Sequence, residues 1–203
     1  MTDKDHLLDF LMSRRSVRKY LHAEVPLSLI DRLIETASWA PSAHNAQPWR
    51  FVVLIRKEIK EKLAREMAQC FLSDLKKDGV SEEVALDQVK NSVNRFSLSP
   101  VLIVACIEMG RMDRYPDAAR RQAEEVMATQ SLAASIQTFL LSASAKGLGA
   151  CWFCAPLFCP DVVREVIGIG AGTIPQALIT LGYPDEDPPP PPRLRVDEIR
   201  TVI

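Results

Sequence analysis

The chain has 203 residues, 47% hydrophobic and 25% charged, values that suit one globular domain with a buried core. Its 25 basic and 26 acidic residues leave a formal net charge of -1, so no global field draws in nucleic acid or an anionic membrane. The longest apolar runs, such as "VLIVACI" at 101–107, are too short to span a bilayer; the head of the chain carries three acids and no apolar signal core, which makes the cytoplasm the expected compartment.

A short helix is expected over residues 7–12, followed by the basic segment "SRRSVRKY" at 13–20 with Arg14, Arg15, Arg18 and Lys19. Such a run is either a solvated charged surface or an anion site. The planar fork of arginine suits a phosphate, and Ser16 adds a hydroxyl donor. A second helix, capped by Ser28, is expected over 29–39 and ends ahead of Pro41.

Next comes the loop "APSAHNAQPWRF", residues 40–51, which has many uncharged hydrogen-bonding groups and no acid. Asn45 and Gln47 each offer an acceptor and two donors, able to match the alternating edge of a heterocycle. Pro41 and Pro48 stiffen the loop, Trp49 is read as packing, and His44 is either a capping group or a pocket-lining one.

Buried strands are expected at 51–55, 101–107, 150–155 and 175–181, with amphipathic helices at 58–71 and 81–93 between the first two. The helix over 118–146 is apolar nearly all round in its second half, so it should be central; Gly147 and Gly149 end it. Pro160 and Asp161 open a short helix over 162–167. The order makes an α/β or α+β sandwich, and connection lengths leave strand direction open. The five cysteines are odd in number, against a disulfide framework. The pair in "CWFC", Cys151 and Cys154, is read as core packing rather than as a redox dithiol or half a metal site. After Pro184 a run of five prolines reads as a stiff spacer in an extended arm, 184–203, which carries Arg193 and Arg195 on one side of an extended chain. No G-x-S-x-G, phosphate-binding Walker loop or H-E-x-x-H is present, and "GLGACW" is not a Rossmann turn.

Taken in order, "RRSVRKY", "IETASWAPSAHNAQPWRFVV", "KGLGACWF" and the terminal "RLR" resemble the FMN-dependent nitroreductase family over nearly the whole chain. The stretch from "APLFCPDVVREVIGIG" to "IPQALITLGYP" is similar to the C-terminal flavin domain of the gamma-glutamyl ligase that matures the deazaflavin coenzyme, without its ligase half. The resemblance implies an α+β fold with a central sheet flanked by helices in an intertwined homodimer. FMN would be bound between the subunits, and hydride would pass from NAD(P)H or a reduced deazaflavin to a nitro, quinone or other small conjugated acceptor. It assigns the phosphate and ribityl chain to Arg14, Arg15 and Ser16, completed by Arg193 and Arg195, and sets Arg18 by the pyrimidine oxygen, where a cation favours the reduced anion. Pro41, Ser42, Ala43 and Asn45 would come from the other subunit. Trp152 and Phe153 would lie along the ring, with a backbone N–H near Cys154 or Ala155 at the redox nitrogen. Ala43 replaces a common hydroxyl and Cys154 a common acid, departures that bear on the substrate pocket. Relatives that fragment their flavin to dimethylbenzimidazole supply the alternative activity.

Overall fold

The computed structural model describes residues 3–203; Met1 and Thr2, at the head of the N-terminal segment, lie outside the described residues. Strands β1 (Trp49–Leu54), β2 (Val101–Glu108), β3 (Gly149–Phe153) and β4 (Thr173–Gly182) form a sheet in the order β1-β2-β4-β3. Every neighbouring pair is antiparallel, which settles the strand directions and makes the fold α+β.

The two central strands are apolar at nearly every position because both faces of the sheet are covered. Along β2, Val101, Ile103, Ala105 and Ile107 enter one core cluster, while Leu102, Val104 and Cys106 enter another, the two-residue period of a pleated strand. Helices α2 (Leu27–Ala37) and α5 (Ala118–Ala145) close the first cluster with Ile30, Leu33, Leu132, Ile136 and Phe139. Helices α3 (Lys57–Lys77), α4 (Glu82–Ser97) and α6 (Pro160–Ile167) close the second with Leu63, Met67, Phe96 and Val163. At 28 residues, α5 is roughly 42 Å long. Its buried positions, among them Ala128, Leu132, Ser135, Phe139 and Ala143, recur every three or four residues, so it lies along the sheet as the central helix.

Several boundaries depart from the sequence reading. Helix α2 starts at Leu27, with Pro26 at the cap position, so Ser28 sits inside the first turn and caps nothing. Pro26 sets the backbone, and its carbonyl accepts from Leu29 N and Ile30 N at 2.9 and 3.2 Å. Helices α3 and α4 run several residues past their expected ends, because Leu75 and Phe96 continue the buried stripe. Strand β3 stops at Phe153. The backbone turns at Cys154 into the short 3-10 helix Ala155–Phe158, which leaves Cys154 exposed while Cys151 is buried; core packing holds for one cysteine of the pair and fails for the other. Strand β4 begins before Pro175, which faces Cys106 at a register shift, where a missing N–H does no harm.

The N-terminal elements are α1 (Asp3–Ser13) and an extended segment along the outer edge of β3, where Val17 N donates to Ala150 O at 3.1 Å. After β4 the chain is without regular structure up to α7 (Val196–Ile199), and residues 189–203 are exposed. Among the described residues no helix is long and apolar enough to cross a membrane.

Candidate functional site

The basic segment is held in place by strand-like pairing at both ends. Val17 N is bonded to Ala150 O of β3, and farther along Leu21 N donates to Tyr183 O at 2.9 Å. Between them the Tyr20 hydroxyl donates to Val17 O at 2.5 Å and lies 2.6 Å from the hydroxyl of the buried Thr180. Arg14 therefore projects from a fixed backbone. It is half-buried and lines a cleft of about 210 Å³ with Ser13, Val17, Gly147, Leu148 and Pro184. Its guanidinium has no hydrogen-bond or ion-pair partner among the described residues.

Its neighbours are committed differently. Arg15 donates to Met12 O and Arg14 O at 2.7 and 2.8 Å, closing the carbonyl end of α1. The backbone N–H groups of Arg18 and Lys19 donate to Glu186 at 2.5 and 3.1 Å, and the exposed Arg18 guanidinium reaches only Ser16 O at 3.3 Å. Ser16 bridges to Ala150 on β3. Arg193 and Arg195 do not line the cleft in the single chain; Arg195 is paired with Asp197 at 3.0 and 3.1 Å. Two acids, Glu186 and Asp187, do line it. The thiol of Cys151 senses the local field: burial pushes it up, while Arg18, a hydrogen bond to Ser16, Arg95 and Arg14 act in the opposite direction.

The opposite end of β3 is aromatic. Trp152, Phe153, Cys154 and Ala155 line a cavity of about 780 Å³ closed by α3 and α4. Phe153 meets the Phe96 ring edge-on at 5.3 Å and lies beneath Arg95. The indole N–H of Trp152 is buried without an acceptor, an orphan donor that a ligand oxygen or nitrogen would satisfy. At ~3.3 Å per residue, the strand separates this end from the Arg14 cleft by roughly 10 Å.

The loop at 41–48 sits on α5. Ala43 N donates to the Ser131 hydroxyl at 3.1 Å, and Gln47 N donates to the Ser42 hydroxyl at 3.1 Å. His44, Asn45 and Gln47 all have left-handed backbone, with φ of 54°, 53° and 47°. Non-glycine residues hold that region only where their surroundings enforce it. The side-chain amides of Asn45 and Gln47 make no hydrogen bond among the described residues, so their donors and acceptors remain available; Pro41 and Asn45 are exposed.

A cofactor with an anionic tail and a flat ring fits these features: a free half-buried guanidinium at one end of an edge strand, and at the other an orphan indole donor on one face of the strand and the Phe153 ring on the opposite face. The sequence reading passed over Tyr20, Asp113 and Glu124. Glu124 sits in the charged stretch "AARRQAEEVM" and looks solvated, but four and eight residues on lie the buried Ala128 and Leu132, which places it on the buried stripe.

A family model described as the nitroreductase family matches residues 11–183. The chain belongs to the nitroreductase family. Among nitroreductase-family relatives, it is 31% identical over 182 residues to YfhC of Bacillus subtilis (strain 168), which carries the name of an NAD(P)H nitroreductase; the match spans 90% of this chain and 86% of that protein. Its fold superposes with a TM-score of 0.78 on a BluB-like flavoprotein from Clostridium difficile 630, at 28% identity over 97% of this chain and 98% of the other. A protein of Desulfovibrio desulfuricans solved in complex with FMN has the same fold, with a TM-score of 0.73, 21% identity and coverage of 97% and 96%.

Proposed function

We propose that this chain is an FMN-dependent oxidoreductase acting as a homodimer, with NAD(P)H or a reduced deazaflavin as donor and a nitro, quinone or other small conjugated compound as acceptor. The observation that carries this reading is Arg14, a half-buried guanidinium with no partner, in a cleft joined by β3 to the orphan donor of Trp152. Bound FMN would supply the hydride chemistry. Arg14 and Ser16 hold its phosphate and ribityl chain, with Arg15 stiffening the turn from behind. Arg193 and Arg195 complete the clamp once the exposed tail is packed in the dimer. Arg18 lies toward the pyrimidine edge, where its charge favours added negative charge on the ring. Trp152, Phe153, Cys154 and Ala155 flank the ring, and Pro41, Ser42, Ala43 and Asn45 of the second copy close over it.

The names of the relatives support a nicotinamide donor. Titration of the purified protein with FMN, followed by NADH and NADPH oxidation with nitroaromatic, quinone and deazaflavin compounds, tests this function. Arg14→Ala should weaken FMN binding about 10–100-fold, since one charge-assisted hydrogen bond contributes roughly 1.5–3 kcal/mol. A colourless protein that takes up no added FMN overturns the reading.

The resemblance to relatives that fragment their flavin to dimethylbenzimidazole supports a second reading, in which the chain fragments its own flavin. Exposure of the reduced, flavin-loaded protein to oxygen separates the two. Return of the oxidised flavin spectrum supports the oxidoreductase, and irreversible loss of the spectrum supports fragmentation.

A further inference from the structure

We infer that His44, Asp113 and Glu124 form a binding site for a divalent transition-metal cation, with Zn²⁺ the best match to one imidazole and two carboxylates. One ligand atom from each of the three residues lies within 4.8 Å of the others. They come from three separate parts of the chain: the 41–48 loop, the link after β2, and α5. Local helix chemistry therefore does not explain the cluster.

The second observation is the state of Glu124. The residue is only 2% exposed. One carboxylate oxygen accepts from Asp113 N at 3.3 Å; the other faces His44 Nε2 at 3.7 Å, beyond hydrogen-bond reach, and takes no hydrogen bond from any described residue. A carboxylate in a residue this buried, held by a single backbone N–H and otherwise open only to the cavity, is under-satisfied, and a second carboxylate beside it adds repulsion. Arg114 and Arg121 line the cavity above, of about 720 Å³, but neither pairs with Glu124 or Asp113; Arg121 instead donates to the carbonyls of Tyr115 and Pro116. A divalent cation answers both problems at once.

The geometry is nearly made. Zinc holds imidazole nitrogen and carboxylate oxygen at about 2.0–2.2 Å, which puts ligand atoms roughly 3.4 Å apart. Glu124 is held on α5, while the side chains of His44 and Asp113 are exposed, so rotation about their side-chain bonds covers the difference without moving the backbone. Three protein ligands leave a fourth position open toward the cavity. The loop that carries His44 is already tied to α5 by the bond from Ala43 N to Ser131.

Calorimetric titration of the intact chain with Zn²⁺ tests the site. One equivalent should bind, and His44→Ala and Asp113→Ala, both at exposed positions, should each lower the affinity at least tenfold with circular dichroism unchanged. Glu124→Gln should do the same if it folds. Cys154→Ser should leave binding intact, because the exposed thiol is outside the site. No stoichiometric binding overturns the inference, as does binding that survives His44→Ala and Asp113→Ala or is lost in Cys154→Ser.

Discussion

Three arginines within five positions take three different roles, and charge alone does not distinguish them. Arg15 closes the carbonyl end of α1, Arg18 extends into solvent, and Arg14 alone faces the cleft without a partner. Burial divides the cysteines in the same way. Cys106 is fully buried on β2, and burial pushes its thiol up to about 12 from the ordinary 9.0; burial, with Cys70 nearby, takes Cys159 to about 11. As pH rises through 9, thiols of the unfolded chain release protons that the native thiols keep. The unfolded state then binds fewer protons, so stability present below pH 9 is lost as the pH climbs toward 11 and 12. Each thiol contributes a slope of up to about 1.4 kcal/mol per pH unit. Urea unfolding between pH 9 and 11 should show this decline, and Cys106→Ala should make it shallower. An identical slope in the variant would mean that Cys106 titrates as an exposed thiol does.

At the scale of elements, the site depends on how closely the basic segment lies against β3. Gly149 makes this approach possible: a Cβ built there would stand 2.6 Å from Val17 Cγ1 and 2.7 Å from Val17 Cβ. Neither the strand nor the branched side chain has room to yield, because Val17 N is bonded to Ala150 O and the Tyr20 hydroxyl holds Val17 O. Gly149→Ala should destabilise the fold by about 1–3 kcal/mol, the range for overpacking. It should also weaken FMN binding, because Arg14 rides on the displaced segment. A thermal melt and an FMN titration check both; a variant with wild-type values for each would show that the segment and strand do not meet so closely. Polar positions on the buried face of α5 serve a related purpose. Ser131 receives the loop backbone, and Ser135 donates to the last carbonyl of α2 at 2.9 Å.

For the whole molecule, the surface left by one chain points to assembly. Leu7, Leu8, Leu11 and Met12 form an exposed stripe on α1, and Leu194, Val196, Ile199, Val202 and Ile203 are exposed on the tail. Trp39, next to the 41–48 loop, is 84% exposed. A helix and a tail with this much apolar surface gain stability only by burial, at about 25 cal/mol per Å². In the proposed homodimer the second copy provides that burial and also brings the amide loop to the flavin. Sedimentation should give about twice the 22.7 kDa of one chain. Removal of residues 184–203 should shift the mass toward the monomer and abolish FMN retention. A truncated chain that stays dimeric and yellow would separate the tail from both roles.

Local chemistry in the sequence determined most of the elements. Apolar periodicity located the strands and helices, glycines marked the end of α5, and the sequence motifs pointed to the nitroreductase family. Those signals lie within a few residues of one another and survive without knowledge of what packs where. Strand direction, the exposure of Cys154, and the meeting of His44, Asp113 and Glu124 were decided only by tertiary structure. The reason is physical: whether a charged or polar side chain is solvated, paired or left available depends on which distant segment covers it, and Glu124 looks like any helical surface acid until α5 is laid against the sheet and the loop folds over it.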